Sequence, residues 1–192
     1  MIRCLVSRAA VVILSAVAFL PGAAIGQSWT KYVHRDLQFT INFPEEPQVE
    51  TAAYVSAQGR EVPAHVFLVD SGTAHYRLTV ADFSENIELE RGAVAHAAEV
   101  LMRRGEGDHN RFAYMDGLPG HHLSICEPNG RRLQATIYLY DHRLYIVEGS
   151  DIDEAPLPSW FTYSLIITHA DGTQLNLDGY NSESFNAFES PH

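Results

Sequence analysis

Ten histidines occur in this 192-residue chain, at positions 34, 65, 75, 96, 109, 121, 122, 142, 169 and 192. They are the side chains with the widest chemical range, and metal binding is the first chemistry to weigh. A zinc site draws imidazoles and carboxylates onto one point, commonly through pairs at i, i+4 on a helix or i, i+2 on a strand. No two of these histidines stand at either spacing. His121 and His122 are adjacent, so on a strand they face opposite sides. What remains is convergence across paired strands, for which His109, His121 and Glu127 are the candidate ligands. No cofactor is implied by the residues.

Asp141-His142 contains two members of a Ser-His-Asp system. The pair lies between two strand-like runs, however, where Asp and His are ordinary turn residues. The chain has no G-x-S-x-G elbow, phosphate loop, H-E-x-x-H or dinucleotide fingerprint. Acidic residues are plentiful, but nothing selects a carboxylate pair for glycoside chemistry. Cys126 falls in the apolar run 123–126 and is expected to be buried and inert rather than nucleophilic. Catalytic residues are therefore expected to be absent. Tyr138, Tyr140, Tyr145, Trp160 and Phe161 are expected to serve the core of a sheet, with a pocket or interaction face as the competing role.

These residues need elements to position them. Leu37, Phe39, Ile41 and Phe43 alternate along one face of a strand that Pro44 and Pro47 close. Residues 49–57, 64–69 and 74–83 read as further strands, the first two joined as a hairpin through Gly59. Residues 89–104 carry an apolar stripe at helical spacing, with Glu88 and Glu90 near the start, Arg103 and Arg104 at the end and Gly105 as the stop. Strands resume at 111–115, 121–126 and 132–140, the last two joined through Pro128-Asn129-Gly130. Asp141-His142 then turns the chain into a strand over 143–148. Residues 159–168 fit a helix or a strand equally well by periodicity. The expected fold is α+β: a mainly antiparallel sheet with one long helix packed on it, resembling an αβα sandwich.

The chain's ends and charge set the compartment. Arg3 and Arg8, a 12-residue apolar run over 9–20 and the small-residue exit Ala24-Ile25-Gly26 form a secretory signal peptide over 1–26. Cleavage is expected between Gly26 and Gln27, and the run is too short to span a bilayer. Residues 27–178 are expected to form a single domain and 179–192 a flexible tail. Removing two arginines and no acids takes the formal charge from −11 to −13 over the remaining 166 residues. Such acidity argues against nucleic-acid binding. Cys126 is the single thiol after cleavage, so no intrachain disulfide can form and packing must stabilise the fold.

Several residues carry a resemblance. Trp29-x-x-Tyr32, Leu37-x-Phe39-x-Ile41-x-Phe43-Pro44-x-x-Pro47, the block Tyr138-x-Tyr140-Asp141-His142-Arg143-Leu144-Tyr145-x-x-Glu148-Gly149 and Ser164-Leu165 together resemble small exported bacterial proteins of undefined function. The Phe39-x-x-x-Phe43-Pro44 element and the order of elements also resemble the PsbP-like fold. That resemblance implies an extrinsic or accessory subunit with no catalytic residues to carry over. The expected function is an exported, periplasmic or secreted, non-catalytic protein: an envelope accessory or binding domain whose partner is an envelope protein or a small ligand. A small periplasmic hydrolase or metal-handling protein is the alternative.

Overall fold

A computed structural model describes residues 29–152 and 158–177. The signal segment 1–26, its cleavage point and the tail 179–192 lie outside them. In chain order the elements are β1 (Thr30–His34), β2 (Phe39–Phe43), β3 (Gln48–Val55), β4 (Glu61–Ser71), β5 (Ala74–Asp82), a 3-10 turn (Ile87–Leu89), α1 (Ala93–Met102), β6 (Glu106–Met115), β7 (Leu118–Cys126), β8 (Arg131–Tyr140), β9 (Arg143–Ile152), α2 (Ser159–Thr162) and β10 (Ile166–Ile167). Seven strands make one antiparallel sheet in the order β3-β4-β5-β9-β8-β7-β6, and β1-β2-β10 make a second, small one. The large sheet is two consecutive meanders joined where β5 pairs with β9.

The centre of the large sheet is covered on both faces. Leu144 and Ile146 of β9 face α1, together with Val62, Ala64, Leu133, Ala135 and Ile137. Tyr145 and Val147 face the other way, into a core with Phe67, Tyr76, Leu78 and the small sheet's Phe39, Ile41, Phe43 and Ile167. This is why 144–147 read as a continuous apolar run rather than an alternating one: a strand buried on both faces has no polar side. β2 behaves similarly, with Leu37, Phe39, Ile41 and Phe43 all buried as their spacing predicts. Its strand begins only at Phe39, because Gln38, at φ 55°, closes a turn by donating its N–H to the Arg35 carbonyl.

The α+β expectation is corrected: 56% of the described residues are in strands and 12% in helices, so the protein is mostly β. The helix expected over 89–104 is only the ten residues of α1. Its apolar stripe starts earlier, in the 3-10 turn where Leu89 is buried, but Gly92 at φ 75° separates the two. Gly105 is a stop of a different kind. Its φ is not positive; a Cβ there would lie 2.2 Å from the Cys126 carbonyl oxygen, so glycine is needed for close approach to β7. Beyond it β6 begins at Glu106, five residues before the expected start, which gives the sheet a full-length edge strand. The αβα sandwich is corrected as well, because the layer opposite α1 is the small sheet with the one-turn α2. Residues 159–168 therefore hold both a helix and a strand.

Candidate functional site

Asp141 and His142 take φ 47° and 60°, the left-handed pair of a two-residue type I′ hairpin turn between Tyr140 and Arg143. The turn sets what the side chains reach. His142 Nδ1 lies 2.8 Å from Glu90 Oε2, and the His142 carbonyl accepts the Phe83 N–H. The Arg143 guanidinium donates to Asp141 Oδ2 at 3.3 Å and to Gln38 Oε1 at 3.1 Å. Histidine is thus tied to the segment leading into α1, and aspartate to its own hairpin. Among the described residues no serine hydroxyl bonds His142.

The candidate metal ligands are spread along two strands. His109 lies opposite Ser124 in the β6–β7 ladder; its side chain is outside the description. His121 Nδ1 pairs with Asn110 Oδ1 at 3.1 Å, and its ring sits 4.5 Å from that of Phe112. Glu127 follows β7 and is held by Arg104 at 2.7 Å. From His121 to the end of β7 is about 17 Å at 3.3 Å per residue, so His121 and Glu127 cannot reach one ion.

Cys126 is exposed, correcting the expected buried thiol. Leu123 and Ile125 of β7 turn toward α1, which places Cys126 on the opposite face. The small sheet covers β4, β5 and β9 but does not extend to that end of β7.

The tyrosines divide between core and surface. The Tyr145 hydroxyl donates to the Leu37 carbonyl at 3.0 Å, tying β9 to the turn that leads into β2. Burial pushes its pKa, and that of Tyr138, well above the ordinary phenol value. Tyr138 OH lies 2.6 Å from His122 Nε2, and burial reinforced by the nearby Arg111 charge lowers the His122 pKa. Tyr140 OH reaches His169 Nδ1 at 2.9 Å. These groups join elements together, as expected of sheet aromatics.

Trp160 differs. On the single turn of α2, successive side chains point about 100° apart, and the turn docks so that Phe161 and Thr162 are buried and Trp160 is not. Phe161 has 0% exposure, its ring 5.1 Å from Phe43 and 5.2 Å from Tyr76. Trp160 is left 86% exposed. α2 itself is firmly seated: Thr136 Oγ1 donates to the Thr162 carbonyl, Ser164 Oγ to the Phe161 carbonyl, and the Asn42 N–H to Ser164 Oγ. Gly149 permits the approach, since a Cβ there would stand 2.7 Å from Pro158 Cγ. Tyr163, 52% exposed, sets its ring tilted at 5.1 Å from that of His122 and accepts from Gln134 Nε2 at 3.2 Å. Trp160, Tyr163, Asn42, Ser159 and Ser164 line an open hollow of about 480 Å³. Periodicity over 159–168 contained no signal for this ledge, because which of two adjacent aromatics faces out depends on where the turn docks.

The class these observations define is a mostly-β domain presenting an aromatic ledge on a rigid support. No protein-family model matches the sequence, and no curated protein matches it. Among solved structures, the solution structure of cyanobacterial PsbP (CyanoP) from Synechocystis sp. PCC 6803 is similar, with 12% sequence identity, a TM-score of 0.49, and coverage of 76% of this chain and 96% of that one. This structure neighbour is PsbP-like.

Proposed function

We propose that the protein is an exported accessory domain, periplasmic or secreted, that binds a polypeptide of the cell envelope through the Trp160–Tyr163 ledge and performs no chemistry of its own. The observation that carries this reading is Trp160: a large aromatic side chain, 86% exposed, on a turn whose Phe161 and Thr162 side chains are buried and whose carbonyls at these two residues accept hydrogen bonds from Ser164 and Thr136. Tryptophan and tyrosine dominate the energetics of protein interfaces, and a rigid support lowers the ordering cost of binding. Export is supported by the signal-type segment over 1–26. No helix among the described residues is long and apolar enough to cross a membrane.

The test is affinity capture from an envelope extract with the purified protein and its Trp160→Ala variant, both checked for the same thermal midpoint. A retained partner whose yield falls about 30-fold with Trp160→Ala, the loss of a typical hot-spot residue, is the expected result. Equal retention by both proteins removes the ledge from the reading. Background alone, with turnover in a hydrolase substrate screen, ends the binding hypothesis.

A further inference from the structure

The α1 face of the large sheet carries a second feature, separate from the ledge. Beyond the C-terminal end of α1, two neighbouring rows of the sheet bear polar side chains where the helix no longer covers them. One row runs Leu68, Arg77, Glu148 across β4, β5 and β9; the next runs Asp70, His75, Ser150, Leu133 across β4, β5, β9 and β8. Arg104 overhangs the rows from the end of α1, and Arg131 of β8 closes the far side. Together they form a cleft of about 340 Å³, within the size range of small-ligand sites.

The charges in this cleft are unevenly matched. Arg104 takes both of the well-covered carboxylates, Glu127 at 2.7 Å and Glu148 at 2.5 Å. Asp70 is engaged by His75. Arg131 pairs with no carboxylate among the described residues; its Nη1 donates to the Thr73 carbonyl at 2.8 Å and lies 3.5 Å from the Ser150 carbonyl and Oγ. Arg77 directs its Nε to Thr79 Oγ1 and stands 3.8 Å from Glu148, whose other oxygen Arg104 already holds. Two guanidinium groups thus keep donors to spare in a chain with 24 acidic and 13 basic residues. They rise from β5 and β8, which flank β9, opposite Glu148 and Ile152, so their backbone positions stand two strands and four residues apart, about 16 Å by strand spacing. Long stems reaching inward from that separation bracket one oxyanion above Ser150, and guanidinium is the group best shaped to bind carboxylate or phosphate oxygens.

We propose that this cleft is a binding site for a small anion bearing a carboxylate or phosphate group, held between Arg77 and Arg131 over the Ser150 hydroxyl. Three arginines balance the three carboxylates of its lining, so the cleft lacks the net negative charge that repels such anions from the rest of this acidic chain.

The experiment is a titration of the purified protein with inorganic phosphate and, separately, succinate at constant ionic strength, read by backbone amide shifts at Thr73 and Ser150. Saturable shifts with a dissociation constant on the order of 1 mM are expected. Arg131→Gln and Arg77→Gln should each weaken binding about 10-fold, as loss of a charge-assisted contact does. Saturation by phosphate alone assigns a phosphoryl ligand, by succinate alone a carboxylate one, and by both the shared oxyanion chemistry. Shifts that stay linear in concentration with both probes, or that neither variant changes, overturn the proposal. Arg77 is half exposed and makes few structural contacts, so Arg77→Gln decides the matter if Arg131→Gln fails to fold.

Discussion

The two faces of the large sheet are filled in opposite ways. Toward the small sheet the core is aromatic, with Phe39, Phe43, Phe67, Tyr76, Tyr145 and Phe161 in one buried cluster. Toward α1 it is aliphatic: the helix brings the small side chains Ala93, Ala97 and Ala98 to a layer that holds Leu123, Ile125, Leu133, Ala135, Ile137, Leu144 and Ile146. Alanines let a helix lie close to a sheet, but a ten-residue helix is only about 15 Å long and the strands beneath it run to about 33 Å. The close-packed face is therefore the partly covered one, and the polar cleft occupies what the helix leaves open. The aromatic face has the opposite problem. It has more large rings than the core holds, and Trp160 is the most exposed of those that remain outside, with Tyr163 and Trp29 partly so. Each candidate binding feature is thus a by-product of how its face is packed.

The contrast can be broken most severely on the aromatic side. Phe161→Ala should cost about 3–5 kcal/mol, the range for emptying a buried aromatic position, while Trp160→Ala next to it should stay within about 0.5 kcal/mol. Urea unfolding of the two variants measures both; similar losses would mean that Trp160 is part of the core. On the alanine side the expected fault is overfilling. Ala97→Leu, at a position buried against the sheet, should cost about 1–3 kcal/mol by forcing α1 outward. It should also disturb the cleft, since Arg104 follows directly from the helix; an unchanged ion pair to Glu148 would show that the cleft is set by the strands alone.

The smallest effect concerns His122 under the ledge. Its folded pKa is held below the ordinary 6.5 by burial first and by Arg111 second. The unfolded chain then binds more protons than the folded one once the pH falls below about 6.5, so stability drops as the solution is acidified from there toward the folded pKa. His34, lowered chiefly by burial, acts in the same direction. His122→Gln should reduce, without abolishing, the fall in thermal midpoint between pH 7 and pH 5. An undiminished fall would assign the whole effect to other groups.

What could be read from the sequence was the local chemistry. Asp141-His142 and Asn129-Gly130 turn the chain where expected, because positive φ at 141, 142 and 130 is written into those residue types. The inward face of β2 follows directly from alternation. Tertiary context decides the rest. The stripe over 89–101 looks like one helix because a 3-10 turn and a helix present apolar residues at similar spacing; only the backbone conformation of Gly92 divides them. Cys126 looked buried because its run is apolar, yet the sheet's other layer ends before reaching it. The candidate ligands His121 and Glu127 belong to one strand and its exit, a separation that residue type alone does not reveal. The aromatic ledge and the arginine cleft both depend on where a short helix stops, which is a property of the assembled layers.

The joint between the two meanders has a further consequence, in kinetics. Within β3-β4-β5 and within β6-β7-β8-β9 every pairing is between neighbours in sequence, closed by tight turns. The pairing of β5 with β9 instead links residues such as Arg77 and Glu148, 71 positions apart in the numbering, with α1 and three strands between them. Contacts that close long loops meet the largest entropic barrier. The two meanders are therefore expected to form early and separately. Their joining along β5 and β9, which also brings Arg77 to Glu148 and so builds the floor of the cleft, is the step that sets the rate at which the protein becomes whole.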